Sequence, residues 1–280
     1  MICGKLSDEE RGGSMLVEAG DQLATDLDEL GEEHRHALRD DIVLRGFVAR
    51  LLGWSDDRAV DLALRALALA AEHQADLVLC GAGDMVPIAR ALHRRTLGTE
   101  RPFVVCDRRR GNTPASPRSP ANHASGLAAL AAAEGGSLCV RAGRLPRNFS
   151  ALVAQLRGAD NVQFVVCAHE RDADHPFLVR PAPIHLPPLA DRAAELDRVI
   201  TEYAADACAE LGEPPGSFTK SDHAWVRQHA TTLAEVDKAT LRLVALRTSR
   251  NISDAATRLG MAPVSLSRWL GRRNRHGGRR

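Results

Sequence analysis

The chain has 280 residues, a net charge of +1, 44% hydrophobic residues and 26% charged residues. This composition excludes wholesale disorder and leaves room for one large domain or two to three smaller ones. No apolar run approaches the roughly 18–20 residues of a membrane span. No secretory leader is visible, and none of the six cysteines sits in a C-x-x-C pair. A cytoplasmic protein with reduced thiols and no membrane partner is expected.

The charge is uneven. From Ala234 to Arg280, eleven Lys/Arg face three Asp/Glu, a net of +8 that leaves −7 for the rest. A basic end on an acidic body points to a polyanionic partner, with a solvated tail as the alternative.

Residues 1–40 are polar and acid-rich, with SDEE and DLDELGEEH, and read as a helical arm or a solvated helix face. IVLRGFVARLLGW (42–54) has apolar residues at helical spacing and completes an N-terminal region over 1–54. SDDRAVDLALRALALAAEHQ (55–74) predicts a second helix with Ser55 as its N-cap.

Four short apolar runs follow: LVLC (77–80), PFVVC (102–106), SLCV (137–140) and VQFVVCA (162–168). Helical stretches separate them, and APIHLPPL (182–189) adds a last strand. Apolar strands without alternation, spaced by helices, predict an α/β domain over 55–190 with a parallel sheet covered on both faces. Cys80, Cys106, Cys139 and Cys167 fall in these runs and read as core residues rather than a four-thiol metal site. No cofactor is assigned. RRRGNTPASPRSPAN (108–122) reads as a mobile basic loop. His169 and His175 with Asp172 and Asp174 read as an ordinary loop.

LADRAAELDRVITEYAADACAELG (189–212) predicts one amphipathic helix ended by Gly212, and SDHAWVRQH (221–229) a short one, within a helical linker over 191–230. In the C-terminal region, 231–280, a helix is predicted over 233–248. A second, SDAATRLG, is capped by Asn251 or Ser253 and closed by Gly260, and a third is VSLSRWLGRR. Small Ala255 and Ala256 allow close packing, with Leu259, Met261, Val264, Leu266 and Leu270 as the seam. The pattern predicts a helix-turn-helix. Hydroxyls and arginines on its last helix suit phosphates and base edges in a major groove. The candidate DNA-binding set is Ser253, Pro263, Val264, Ser265, Ser267, Arg268, Arg272 and Arg273.

RNISDAATRLGMAPVSLSRWL resembles the Fis-type helix-turn-helix that closes sigma-54-dependent enhancer-binding proteins of the NtrC type. The resemblance implies a homodimer on a palindromic or enhancer-type site in double-stranded DNA, with dimer contacts near Val236, Leu243 and Val244. Upstream, LVLCGAGDMVPIARALHRRTLGTERPFVVCD (77–107) looks like that family's first strand, phosphate loop, helix and second strand. PAPIHLPPLADRAAEL (181–196) is close to its P-I-x-L-P-P-L-R-x-R. The resemblance therefore implies an AAA+ body followed by the Fis-type domain.

The catalytic atoms of that family are missing. At Gly81, Gly83 and Asp84 a glycine turn survives, but without the lysine and hydroxyl that hold phosphate and Mg²⁺. Arg141 and Ala142 stand where the Walker B acids belong, and His169 stands at the sensor asparagine. Arg180 is no clear arginine finger, and the loop that grips sigma-54 is absent. The expectation is a non-enzymatic DNA-binding regulator, repressing, modulating or docking on an intact sigma-54 activator. The alternatives are an adaptor, or a non-hydrolysing nucleotide or small-ligand sensor holding an anion at Gly81, Gly83 and Arg90.

Overall fold

A computed structural model describes residues 40–73, 75–116, 118–158, 161–169 and 183–277. The chain divides into two compact units, 1–46 and 47–280. Of the first, residues 40–46 are described; they are helical, with Ile42 and Val43 exposed. The reading of 1–39 lies outside the described residues.

The helix over 40–52, α1, runs into the second unit. It is followed by α2 (Asp57–Glu72), β1 (Leu77–Cys80), α3 (Val86–Thr96), β2 (Phe103–Cys106) and β3 (Ala121–His123). Next come α4 (Gly126–Ala132), β4 (Ser137–Arg141), α5 (Phe149–Leu156), β5 (Gln163–Ala168) and β6 (Ile184–His185). The chain ends in α6 (Leu196–Leu211), α7 (Lys220–His229), α8 (Leu233–Thr248), α9 (Ile252–Arg258) and α10 (Pro263–Gly277).

The six strands form one parallel sheet in the order β3-β2-β4-β5-β1-β6. Every residue of β1, β2 and β5 is buried, which explains why these runs show no alternation. Val78, Val104, Leu138, Val140, Phe164 and Val166 pack with Ala129 and Leu152 of α4 and α5 on one face. On the other face α3 lies over β4 and β5, with α2 beside it against β1. The alternation along α3 is sharp. Ile88, Ala89, Leu92 and His93 are buried, while Arg94 and Arg95 are exposed.

Three local expectations need correction. Asp56, not Ser55, caps α2, its Oδ1 accepting from Ala59 N at 2.9 Å. The 108–122 loop ends in a strand. Asn122 pairs through β3 with β2 and bridges to Thr113, and its amide bonds the Asp107 and Gly111 carbonyls. The helix expected over 189–212 is broken into a 3₁₀ turn, Leu189–Arg192, and α6. Side chains at the break serve other partners. Arg192 donates to the Leu51 and Arg50 carbonyls at 2.8 and 3.0 Å, and Glu195 accepts from Trp54 N at 3.0 Å. The residue pair thus closes the C-terminal end of α1, whose last carbonyls have no helical partner.

The dominant helix–helix contact is α6 against α8. Val236, Leu243 and Val244, the expected dimer contacts, are 0% exposed within this single chain. Val244 packs with Ala207 and Cys208 of α6. The face that could have met a second copy is already used, and packing continues across residue 231, where a domain boundary was expected. Leu243→Ala should therefore cost about 2–5 kcal/mol in denaturant melts. Its sedimentation coefficient should match that of the parent; dissociation to a smaller species at unchanged stability would contradict this packing.

Candidate functional site

The glycine turn follows β1. Gly81 N donates to Ala168 O at 3.2 Å, and Gly83 has φ +85°. The turn needs small residues. A Cβ on Gly81 would lie 3.1 Å from Leu186 Cβ, and one on Gly83 would lie 3.0 Å from the Thr232 methyl. The gap beside the turn, lined by Ala82, Met85, the Leu186–Leu189 segment and Thr231–Leu233, holds about 10 Å³. That is room for about one water.

The anion expected at a helix N-terminus is supplied by the chain itself. Asp84 Oδ1 accepts from Val86 N at 3.3 Å, at the first turn of α3. The same oxygen takes Arg141 Nη2 at 3.0 Å, and Lys238 Nζ lies 4.0 Å from Asp84 Oδ2. Arg141, at the end of β4, turns its Nη1 to Asp107 Oδ2 at 3.0 Å, where Arg144 Nη1 also arrives at 3.2 Å. Asp107 is fully buried, which pushes its carboxyl up. The Arg109 N–H and the Arg144 and Arg141 guanidiniums outweigh burial and hold it below its ordinary value. Asp107, Asn122 and Arg144 were not singled out from the sequence, because their partners lie on other strands.

Beyond Asp84, on the solvent side of α3, opens a cleft of about 1090 Å³. Three helices line it with the stripe that helical spacing provides. They contribute Pro87, Arg90, Ala91 and Arg94 of α3; Tyr203, Asp206 and Glu210 of α6; and Ala234, Asp237, Lys238 and Leu241 of α8. Asp206 is held by Arg50 Nη1 at 2.5 Å, and Glu210 lies 2.9 Å from Arg118 Nη1. Arg95 stacks over Phe47, its guanidinium carbon 3.9 Å from the ring centre.

The C-terminal helices place the proposed nucleic-acid contacts. Asn251 caps α9, its Oδ1 accepting from Asp254 N at 2.9 Å, so Ser253 is left exposed. Gly260 has φ +61°, and Met261 N reaches back to Ala256 O at 2.9 Å, closing α9. Ala255, Ala256 and Leu266 are 0% exposed and form the seam with Leu259. Val264, expected in that seam, is 55% exposed, one residue too far around α10 to reach it. Pro263, Ser265, Ser267 and Arg268 are also exposed. The side chains of Arg272 and Arg273 lie outside the described residues, as do His175, Asp172, Asp174 and Arg180. His169 is exposed at the end of β5.

These helices are bolted to the body. Arg247 binds the buried Asp222 at 2.7 Å, and Arg258 binds Glu213 at 2.6 Å and the Leu211 carbonyl at 2.9 Å. Trp269 of α10 meets Trp225 of α7 edge-on, ring centres 5.4 Å apart. Two of the cations counted in the basic end are thus matched internally. Among the described residues, no group of His, Cys, Asp and Glu could hold a metal ion.

Asp237 makes the cleft sensitive to pH. Burial, then the nearby Glu210, push its carboxyl up from 3.8 to about 6, with Asp206 adding to the shift and Lys238 and Arg50 opposing it. An acid raised in the fold destabilises it when ionised. The cost is full above pH 6, falls as pH drops through 6 and is gone below about 3.8. Asp237→Asn should raise stability at pH 7.5 by roughly 1–3 kcal/mol. The gain should vanish by about pH 4 in denaturant melts, and a gain constant with pH would exclude this origin.

Compared with known proteins, the chain matches no family model and no curated protein.

Proposed function

We propose that the protein is a DNA-binding transcriptional regulator that reads duplex DNA with α10 and has no ATP-driven step. One observation carries the reading. Leu266 alone of the first turns of α10 points into the seam, while Pro263, Val264, Ser265, Ser267 and Arg268 stand exposed on a helix held by α9. A short helix so displayed, followed by the arginines of 272–280, has the size and charge to enter a major groove. Val264 suits a thymine methyl, Arg268 a guanine edge or phosphate, and the serines phosphate oxygens.

The resemblance to NtrC-type proteins supports a body descended from an AAA+ module. Asp84 puts a fixed carboxylate where a phosphate would bind, and Arg141 puts a fixed cation where metal-binding acids would stand. Both substitutions oppose MgATP by charge, and the gap of about 10 Å³ beside the turn opposes it by volume. A regulator without that cycle represses, competes for a site or docks on an intact sigma-54 activator. Pairing of two copies on a palindrome would need a surface other than Val236, Leu243 and Val244, which the chain buries.

Binding to genomic fragments in gel shifts should weaken steeply with salt. Arg268→Ala should cost about 1–3 kcal/mol in affinity, roughly tenfold or more. Unchanged binding in that variant would remove α10 from the interface. Purified protein incubated with MgATP should release no phosphate above background; robust turnover would overturn the closed-turn reading.

A further inference from the structure

The cleft between α3, α6 and α8 belongs to neither the glycine turn nor the DNA-facing helix, and its chemistry is specific. Seven cationic side chains and four carboxylates line it, an excess of three positive charges. The carboxylates are largely spoken for: Asp84 by Arg141, Asp206 by Arg50, and Glu210 by Arg118. Arg94 makes no ion pair or hydrogen bond among the described residues and stands one turn from Arg90 on the cleft side of α3. Burial and the charge of Arg94 both disfavour the charged form of Arg90, the mark of a like-charge pair short of a counter-ion. Apolar surface lies beside them, from Val86 and Pro87 on α3 to Leu233, Ala234 and Leu241 on α8. The volume, about 1090 Å³, is at the top of the range for small-molecule sites.

We propose that this cleft binds a small organic anion, an apolar ring or chain bearing a carboxylate, sulfonate or phosphate, with the anionic group at Arg90 and Arg94 and the apolar body against α8. The site lies along the flank of α3 rather than over the turn at its start. It requires only the cleft, so it stands or falls independently of DNA binding.

The test is fluorescence titration of the full chain with 8-anilinonaphthalene-1-sulfonate, against N-phenyl-1-naphthylamine, the same ring system without the sulfonate. Saturable one-site binding of the sulfonate is expected, at least about tenfold tighter than the neutral probe, the scale of one charge-assisted contact. Arg94→Glu should weaken it by about tenfold or more, and Arg94→Lys by about twofold or less. Arg94 is exposed, and far-UV circular dichroism and melting temperature should match the parent in both variants. Leu62→Ser and Leu69→Ser remove the exposed apolar positions of α2, and should leave binding unchanged. Equal affinity for the two probes, non-saturable binding, indifference to Arg94→Glu, or loss of binding in the α2 variants would each overturn the proposal.

Discussion

Asp107 is a carboxylate with no access to water, and much of the architecture around it can be understood as its solvation shell. An isolated buried carboxylate costs several kcal/mol even after the protein relaxes. Here β4 delivers Arg141 and the turn after it delivers Arg144, both within 3.2 Å. Asn122, from β3, bonds the Asp107 main chain from the other side. Arg141 cannot serve Asp107 alone, because its remaining nitrogens need acceptors too. They find Asp84 at the start of α3. One chain of charges thus joins the carboxyl ends of β2 and β4 to the turn after β1.

That chain occupies the place where open α/β sheets bind ligands, outside the carboxyl ends of the strands. A phosphate site there needs bare backbone N–H groups and a free cation. This turn instead has a carboxylate satisfied by its own arginine, with Thr232 against Gly83. The ion pair does not have to stabilise the fold relative to an apolar alternative; buried pairs often do not. Its effect is on register: Asp84 and Arg141 meet only if β1 and β4 keep their places on either side of β5. With the turn closed, the open space moves to the flank of α3. Its buried stripe holds the sheet, and its other stripe faces α6 and α8.

The sheet was legible because both faces are covered, so the strands appear as continuous apolar runs set between helices. β3 was not: Ala121–His123 is three residues at a sheet edge, half-buried, and set by an asparagine amide rather than by apolar pattern. The short helices were legible from Gly260 and the small pair Ala255 and Ala256. The side of α8 was not. A stripe of Val236, Leu243 and Val244 announces that something apolar will cover it, but cannot say whether that is a second copy or α6 of the same chain. Asp84 and Arg141 each stood out as an unsuitable residue for a nucleotide site. Their complementarity was hidden because the two lie on separate elements, 57 residues apart in sequence.

The same helix serves three neighbours, and this sets how the parts of the molecule can communicate. One face of α8, Ala234, Asp237, Lys238 and Leu241, lines the cleft. A second, with Val244, is buried against α6. Ala245 belongs to the seam of α9 and α10, in which Leu241 also takes part. Close-packed interiors transmit displacement rather than absorbing it. A shift of α8 toward or away from α3 would have to be matched at Ala255 and Leu266, since no void separates them from Ala245. Arg258 prevents α9 from sliding independently, because it is anchored to Glu213 and the Leu211 carbonyl beyond the end of α6. The orientation of α10 is therefore tied to the spacing between α3 and α8, the dimension that sets the width of the cleft.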